Sequence, residues 1–151
     1  MSAKALLAVH DPACVKRLSH ILSNSGIQTQ PCATVSEAVR ALSADRSDIV
    51  FCQRRLPDGT FQEVLRFADS HGGVPLVVCA DFYDKKTYLE TMSLGAFDYI
   101  AYPFSRRDVE WIVANALRKS LRFERLELHP VERVHPQTVG GPANGTLALW
   151  K

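Results

Sequence analysis

Apolar and polar positions alternate in two rhythms along the first 117 residues, short apolar runs followed by segments of helical period. The run ALLAV (5–9) predicts a strand. Residues 13–24 place Val15, Leu18, Ile21 and Leu22 on one helix face, and Gly26 stops that helix. The half-alternating IQTQPCA (27–33) predicts a second strand, and in TVSEAVRAL the residues Thr34 and Glu37 have capping-box spacing. DIVFC (48–52) is continuously apolar, as a strand covered on both faces is, and after a turn at Gly59 the segment FQEVLRFA carries Phe61, Val64, Leu65 and Ala68 at helical spacing. VPLVVCA (74–80) repeats the buried-strand pattern, and DKKTYLETMSLGA sets Tyr88, Leu89 and Met92 on one face before Gly95. FDYIA (97–101) is the fifth strand, and Ser105 with Asp108 opens a last helix carrying Val109, Ile112, Val113, Ala116 and Leu117.

Strict strand–helix alternation with short connections requires right-handed crossovers, which give an α/β domain with a parallel sheet and helices on both faces. Ligand chemistry in such sheets gathers at the carboxyl ends of the strands. Those ends carry His10 and Asp11, then Gln53, then Ala80 and Asp81, then Ala101 and Tyr102, and they are expected to converge on one shallow crevice.

Composition bounds the rest. A chain of 151 residues that is 46% apolar supports one cored domain plus a tail, and a net charge of +2 does not by itself mark a nucleic-acid binder. The N-terminal MSAKALLAV turns polar at HDP, too short for a membrane span and without a signal-peptide pattern, which points to a cytoplasmic protein. Cys14, Cys32, Cys52 and Cys79 form no C-x-x-C pair, so buried, reduced thiols are expected in place of a zinc site or disulfide framework.

The last helix is expected to run on through RKSLRFERLEL, where Arg118, Arg122 and Arg125 line one side. Such cations also complement a helix C-terminus, and Glu124 and Glu127 interrupt the positive field, so a solvated face is favoured over contact with nucleic-acid phosphates. From His129 the chain is rich in Pro and Gly, the pair His129 and His135 makes no metal motif, and the apolar Leu147, Leu149 and Trp150 end a tail for which two expectations stand side by side, a flexible unanchored end or docking of those residues on a groove or a neighbour. The division is therefore a domain over 1–122 and a helix extension with tail over 123–151.

Three motifs, in order and at matching separations, carry a family resemblance: VHDP after the first strand, RLPDG after the third and LGAFDYIAYPF around the fifth. Residues 4 to 120 or so thereby resemble a CheY-like receiver domain of two-component response regulators. The resemblance implies a flavodoxin-like, doubly wound five-stranded parallel sheet of strand order 2-1-3-4-5 and a role in phosphorelay signalling. In that family, two acids after the first strand and one ending the third hold Mg2+. The last of these accepts a phosphoryl group from a histidine kinase, and a Ser or Thr plus a Lys bind the phosphoryl oxygens. Carried over by position, the acid pair falls on His10 and Asp11, the phospho-acceptor on Gln53, the hydroxyl on Ala80 and the lysine on Tyr102; the switch aromatic falls on Tyr99, and Pro103 stands where the family commonly has a cis peptide.

Four of those five chemical positions depart from the pattern. An amide is neutral, a weak nucleophile and in Gln53 one methylene longer than aspartate; Ala80 has no hydroxyl, and Tyr102 offers a phenol in place of a cation. For Mg2+ there remain Asp11, the Gln53 amide oxygen and a backbone carbonyl near Arg55, so no cofactor is expected beyond weak Mg2+ binding at Asp11. The expectation is a pseudo-receiver, not an enzyme, in which Gln53 fixes one conformation by amide hydrogen bonds and Tyr99 stays inward. It would act through contact with a signalling protein or by homodimerising across the face of the fourth helix, fifth strand and fifth helix, which carries Lys85, Lys86, Arg106, Arg107 and Trp111. Two alternatives stand beside it: a receiver accepting phosphoryl groups on Asp58 or Asp81, and a nucleic-acid adaptor using the basic last helix.

Overall fold

The computed structural model describes residues 3–124, with side chains through Arg118, and the first compact unit of the chain runs to Ser120. Five parallel strands, β1 (Lys4–Ala8), β2 (Gln28–Cys32), β3 (Ile49–Gln53), β6 (Leu76–Ala80) and β7 (Asp98–Ala101), form one sheet in the order β2-β1-β3-β6-β7. Counting only these five strands, the order is 2-1-3-4-5, as expected of a doubly wound sheet. Between β3 and the third helix lies a two-stranded antiparallel hairpin, β4 (Arg55–Leu56) with β5 (Gly59–Thr60), which the hydrophobic pattern did not reveal because a pair of two-residue strands has no period to read.

The strands read as apolar runs because both sheet faces are covered. On one face Leu7, Phe51, Val77, Cys79 and Ile100 pack against α1 (Pro12–Asn24) and α5 (Arg106–Glu124), which contribute Leu18, Ile21, Leu22, Val109, Ile112 and Val113. On the other, Leu6, Ala8, Val50, Cys52 and Val78 meet α2 (Val35–Ala44) and α3 (Phe61–Ser70), with Tyr88 and Met92 of α4 (Lys85–Ser93) joining that cluster. Strand β2 lies at the sheet edge, which is where its Pro31 is tolerated.

Local signals set the helix ends. The Thr60 side chain and Glu63 make a reciprocal capping box at α3, and Ser105 and Asp108 exchange bonds at the start of α5. At the end of α1, Gly26 adopts φ 78°, the Ile27 N–H bonds the Leu22 carbonyl at 2.9 Å and the Gly26 N–H bonds the Ser23 carbonyl at 3.0 Å. Ile27 is buried in the same cluster as Leu22, which completes a Schellman stop. One helix face differs from its expected pattern. Leu89 is 54% exposed, and the buried position of α4 is Thr91, because the helix rolls Tyr88, Thr91 and Met92 toward the sheet and leaves Leu89 outward.

Among the described residues no helix is long and apolar enough to cross a membrane. The expectations for the tail, with His129, His135, Leu147, Leu149 and Trp150, and the side chains of Arg122 and Arg125, lie outside the described residues. Arg118 is within them, exposed, and bonds the Asn115 side-chain oxygen at 2.7 Å.

Candidate functional site

At the carboxyl edge of the sheet, Gln53 ends β3 and reaches the loop that follows β1. Its side-chain oxygen accepts the backbone N–H of His10 at 2.7 Å and that of Asp11 at 3.2 Å. The extra methylene of glutamine gives the amide its reach to the loop, and its oxygen is spent on two main-chain donors. Asp11 is also committed, as the N-cap of α1: its Oδ1 accepts the Ala13 N–H at 3.1 Å. The His10 side chain is exposed.

Across the edge, a cleft of about 190 Å³ is lined by Gln53, Arg54, Arg55, Cys79, Ala80, Asp81, Phe82, Thr87 and Tyr99. The fold thus gathers Gln53, Ala80 and Tyr99 as the sequence spacing requires. Tyr102 donates its backbone N–H to the Ala80 carbonyl at 2.8 Å, while its ring meets Phe104 edge-on at 5.6 Å between centroids and packs on the α1/α5 side of the sheet; the Tyr102–Pro103 peptide is cis. Arg54, Phe82, Thr87 and Cys79 were not singled out from the sequence as site residues; Arg54 had a signal, since it directly follows Gln53 at a strand end.

Tyr99 is buried on β7, and its hydroxyl donates to the Phe82 carbonyl at 3.2 Å, tying the β6–α4 loop to the sheet. Its ring meets Tyr88 and Tyr83 edge-on at 5.7 and 6.2 Å, and burial raises its phenol above the ordinary tyrosine value. Asp84, the N-cap of α4, accepts the Thr87 N–H and hydroxyl at 2.9 and 2.6 Å, and these bonds hold its carboxyl below the usual carboxylate range.

The two acids that stand as alternative nucleophiles are placed differently. The Asp58 carboxylate accepts the Val35 and Ser36 N–H groups at 2.7 and 3.0 Å, at the amino end of α2, and those bonds lower its pKa. Asp81 is exposed on the cleft rim, one residue beyond the end of β6. The donor set does not suit Mg2+: one carboxylate and one amide oxygen already occupied by N–H donors fall short of the oxygen cage a hard dication takes, and no cluster of three or more His, Cys, Asp or Glu suited to a metal occurs among the described residues.

The face of α4, β7 and α5 exposes Lys85, Lys86, Arg106, Arg107 and Trp111, with Trp111 45% exposed. Phe82 and Tyr83 add apolar surface beside it, 69% and 59% exposed. Along β7 a groove of about 530 Å³ is lined by Asp98–Ala101, Phe104, Arg107, Asp108, Trp111 and Ile112. Burial pushes the Asp98 carboxyl up to about 6, against the Tyr99 N–H that it accepts at 2.7 Å, and Asp108 adds to the rise.

A doubly wound sheet of this strand order with a cleft at its strand ends defines a flavodoxin-like α/β domain. The chain belongs to the response regulator receiver domain family of two-component signalling, which its residues 6–114 match. It is 28% identical over 134 residues to the response regulator protein PilR of Pseudomonas aeruginosa, covering 87% of this chain and 30% of that protein. To the DNA-binding response regulator MtrA of Mycolicibacterium smegmatis it is 27% identical, covering 80% of this chain and 53% of that one. It spans about a third to a half of the length of these relatives. In fold it is similar to the receiver domain of a LuxO repressor protein from Vibrio parahaemolyticus (TM-score 0.76, 14% identity, 85% of this chain and 100% of that one). A CheY-like receiver domain protein from Methanospirillum hungatei gives a TM-score of 0.73 at 18% identity, over 82% of this chain and 99% of that one.

Proposed function

We propose that this receiver works without phosphorylation, as a protein-interaction module of a two-component pathway. The observation that carries the reading is the pair of bonds from the His10 and Asp11 N–H groups to the Gln53 amide oxygen. An acceptor for a phosphoryl group needs a free anionic oxygen at this position, and the side chain present is neutral and already used as a brace. The neighbouring positions agree: Ala80 supplies no hydroxyl, and Tyr102 supplies no cation, its ring lying edge-on to Phe104. Asp58 is engaged at the α2 terminus, which speaks against its serving as a substitute acid.

In this reading no catalysis and no cofactor is involved, and output comes from a fixed surface. The α4–β7–α5 face, with Trp111 as its aromatic anchor and Lys85, Lys86, Arg106 and Arg107 around it, suits a signalling partner or a second copy through an apolar centre and a charged rim. The deciding experiment is incubation with acetyl phosphate and Mg2+ followed by intact-mass measurement: an unchanged mass is expected, and a stably added phosphoryl group overturns the reading.

A further inference from the structure

Gln53 and Arg54 both line the cleft at the strand ends, and both carry side-chain donors that meet no acceptor among the described residues. The Gln53 oxygen accepts the His10 and Asp11 N–H groups at 2.7 and 3.2 Å, which fixes which end of the amide is oxygen and leaves the NH2 at the other end unbonded. Arg54 is half-buried, and its backbone is rooted on two sides: its N–H donates to the Cys79 carbonyl at 3.1 Å and its carbonyl accepts the Phe61 N–H at 3.1 Å. Its guanidinium makes no hydrogen bond and no ion pair among the described residues. The charge nevertheless reaches across the cleft. Burial raises the Tyr99 phenol and Arg54 opposes that rise, while Thr87 holds the Asp84 carboxyl low and Lys86 and Arg54 add to the effect. The two cleft hydroxyls have spent their protons, Thr87 on Asp84 at 2.6 Å and Tyr99 on the Phe82 carbonyl at 3.2 Å.

A half-buried guanidinium and an amide NH2 without protein acceptors suit oxygens from outside the chain. The planar fork of arginine matches a carboxylate with two parallel N–H bonds, and the NH2 adds a third donor. Charge narrows the choice. Asp81 on the rim and Asp84 near Arg54 offset most of the positive charge of Arg54 and Arg55, so a second negative charge on a ligand meets repulsion and a monoanion is favoured over a phosphate dianion. Size and lining narrow it further. Ala80, Phe82 and Tyr99 supply an apolar wall, and about 190 Å³ is somewhat more than the roughly 150 Å³ that accommodates benzene in an apolar cavity.

We propose that this cleft reversibly binds a small aromatic carboxylate, its oxygens on the Arg54 guanidinium and the Gln53 NH2 and its ring along Ala80, Phe82 and Tyr99. No covalent bond forms and no metal takes part. A ligand so placed joins the end of β3 to the β6–α4 loop, which carries Phe82 and Tyr83 beside the α4–β7–α5 face. The site goes beyond the proposed interaction function and stands whether or not that face docks a partner.

The test is a titration of the full native chain with sodium benzoate, followed by 15N–1H correlation spectra at constant ionic strength, with inorganic phosphate titrated in parallel. Expected are saturable shifts of the Gln53 side-chain NH2 and of the amides of residues 53–55 and 80–84, with benzoate bound at least tenfold more tightly than phosphate. Arg54→Gln weakens benzoate binding at least tenfold. Arg54→Lys keeps the charge, loses the fork and weakens it severalfold, and Arg55→Gln stays within twofold of wild type. Neither arginine belongs to the two apolar clusters, so dispersed spectra are expected from all three variants. Benzoate shifts that grow linearly without saturating overturn the proposal, as do saturable shifts confined to other residues, binding that survives Arg54→Gln, or phosphate bound as tightly as benzoate. The wild-type titrations decide alone should a variant fail to fold.

Discussion

The amide oxygen of Gln53 lies 2.7 Å from the His10 backbone nitrogen, so the end of β3 is fastened to the loop after β1 by a side chain that carries no charge. With the second bond from the Asp11 N–H at 3.2 Å, this brace satisfies two main-chain donors in the turn that leads into α1. Gln53→Ala is expected to cost about 1–2 kcal/mol, the usual scale for two partly exposed hydrogen bonds. Urea unfolding measures it, and hydrogen exchange locates the loss at His10 and Asp11.

Restoring the acid alone is expected not to restore chemistry. Aspartate at position 53 is one methylene shorter, and His10, Ala80 and the uncharged Tyr102 leave metal and phosphoryl oxygens without their helpers. Gln53→Asp should stay unmodified by acetyl phosphate and Mg2+ in an intact-mass assay, and the protein should lose stability through the severed brace.

Tyr99 holds the β6–α4 loop through its hydroxyl on the Phe82 carbonyl. Tyr99→Phe keeps the ring contacts with Tyr83 and Tyr88 and drops that one bond. The expected cost is about 1 kcal/mol, with faster amide exchange across 81–84 and little change elsewhere.

Asp98 predicts a stability slope in mild acid. Its carboxyl titrates near 6 in the folded chain and at the ordinary 3.8 when unfolded, so between those values the folded state binds more protons. Stability therefore falls as pH rises from about 4 to 6 on account of this group, and Asp98→Asn, which keeps an acceptor for the Tyr99 N–H, should flatten the slope and stabilise the protein at neutral pH by about 2 kcal/mol. Asp45, Asp58 and Asp84, all held low by hydrogen bonds, contribute the opposite slope at more acidic pH. Thermal melts of both proteins from pH 4 to 8 separate the two.

Trp111→Ala should leave the melting temperature within a degree or two, since a half-exposed surface ring carries little of the core. If the α4–β7–α5 face joins two copies, the same change weakens self-association at least tenfold in sedimentation equilibrium.

Much of this was legible in the sequence because a strand buried on both faces must be apolar throughout. ALLAV, DIVFC and VPLVVCA announced three central strands without any partner being known. The carboxyl-end rule then placed Gln53 and Ala80 at one edge, where the structure has them. What stayed hidden depends on where side chains meet in space. Arg54 and Thr87 face one cleft from different elements, and Leu89 turns outward because helical spacing defines a face without saying how the helix is rolled.

The carboxylate of Asp98 has one further effect. It occupies the Tyr99 amide on β7, the outermost strand on its side of the sheet. A foreign segment trying to extend the sheet there meets a main-chain donor already satisfied and a negative charge beside it, so lateral growth into ribbons or fibrils is discouraged. Whatever settles on this flank is recognised by its side groups.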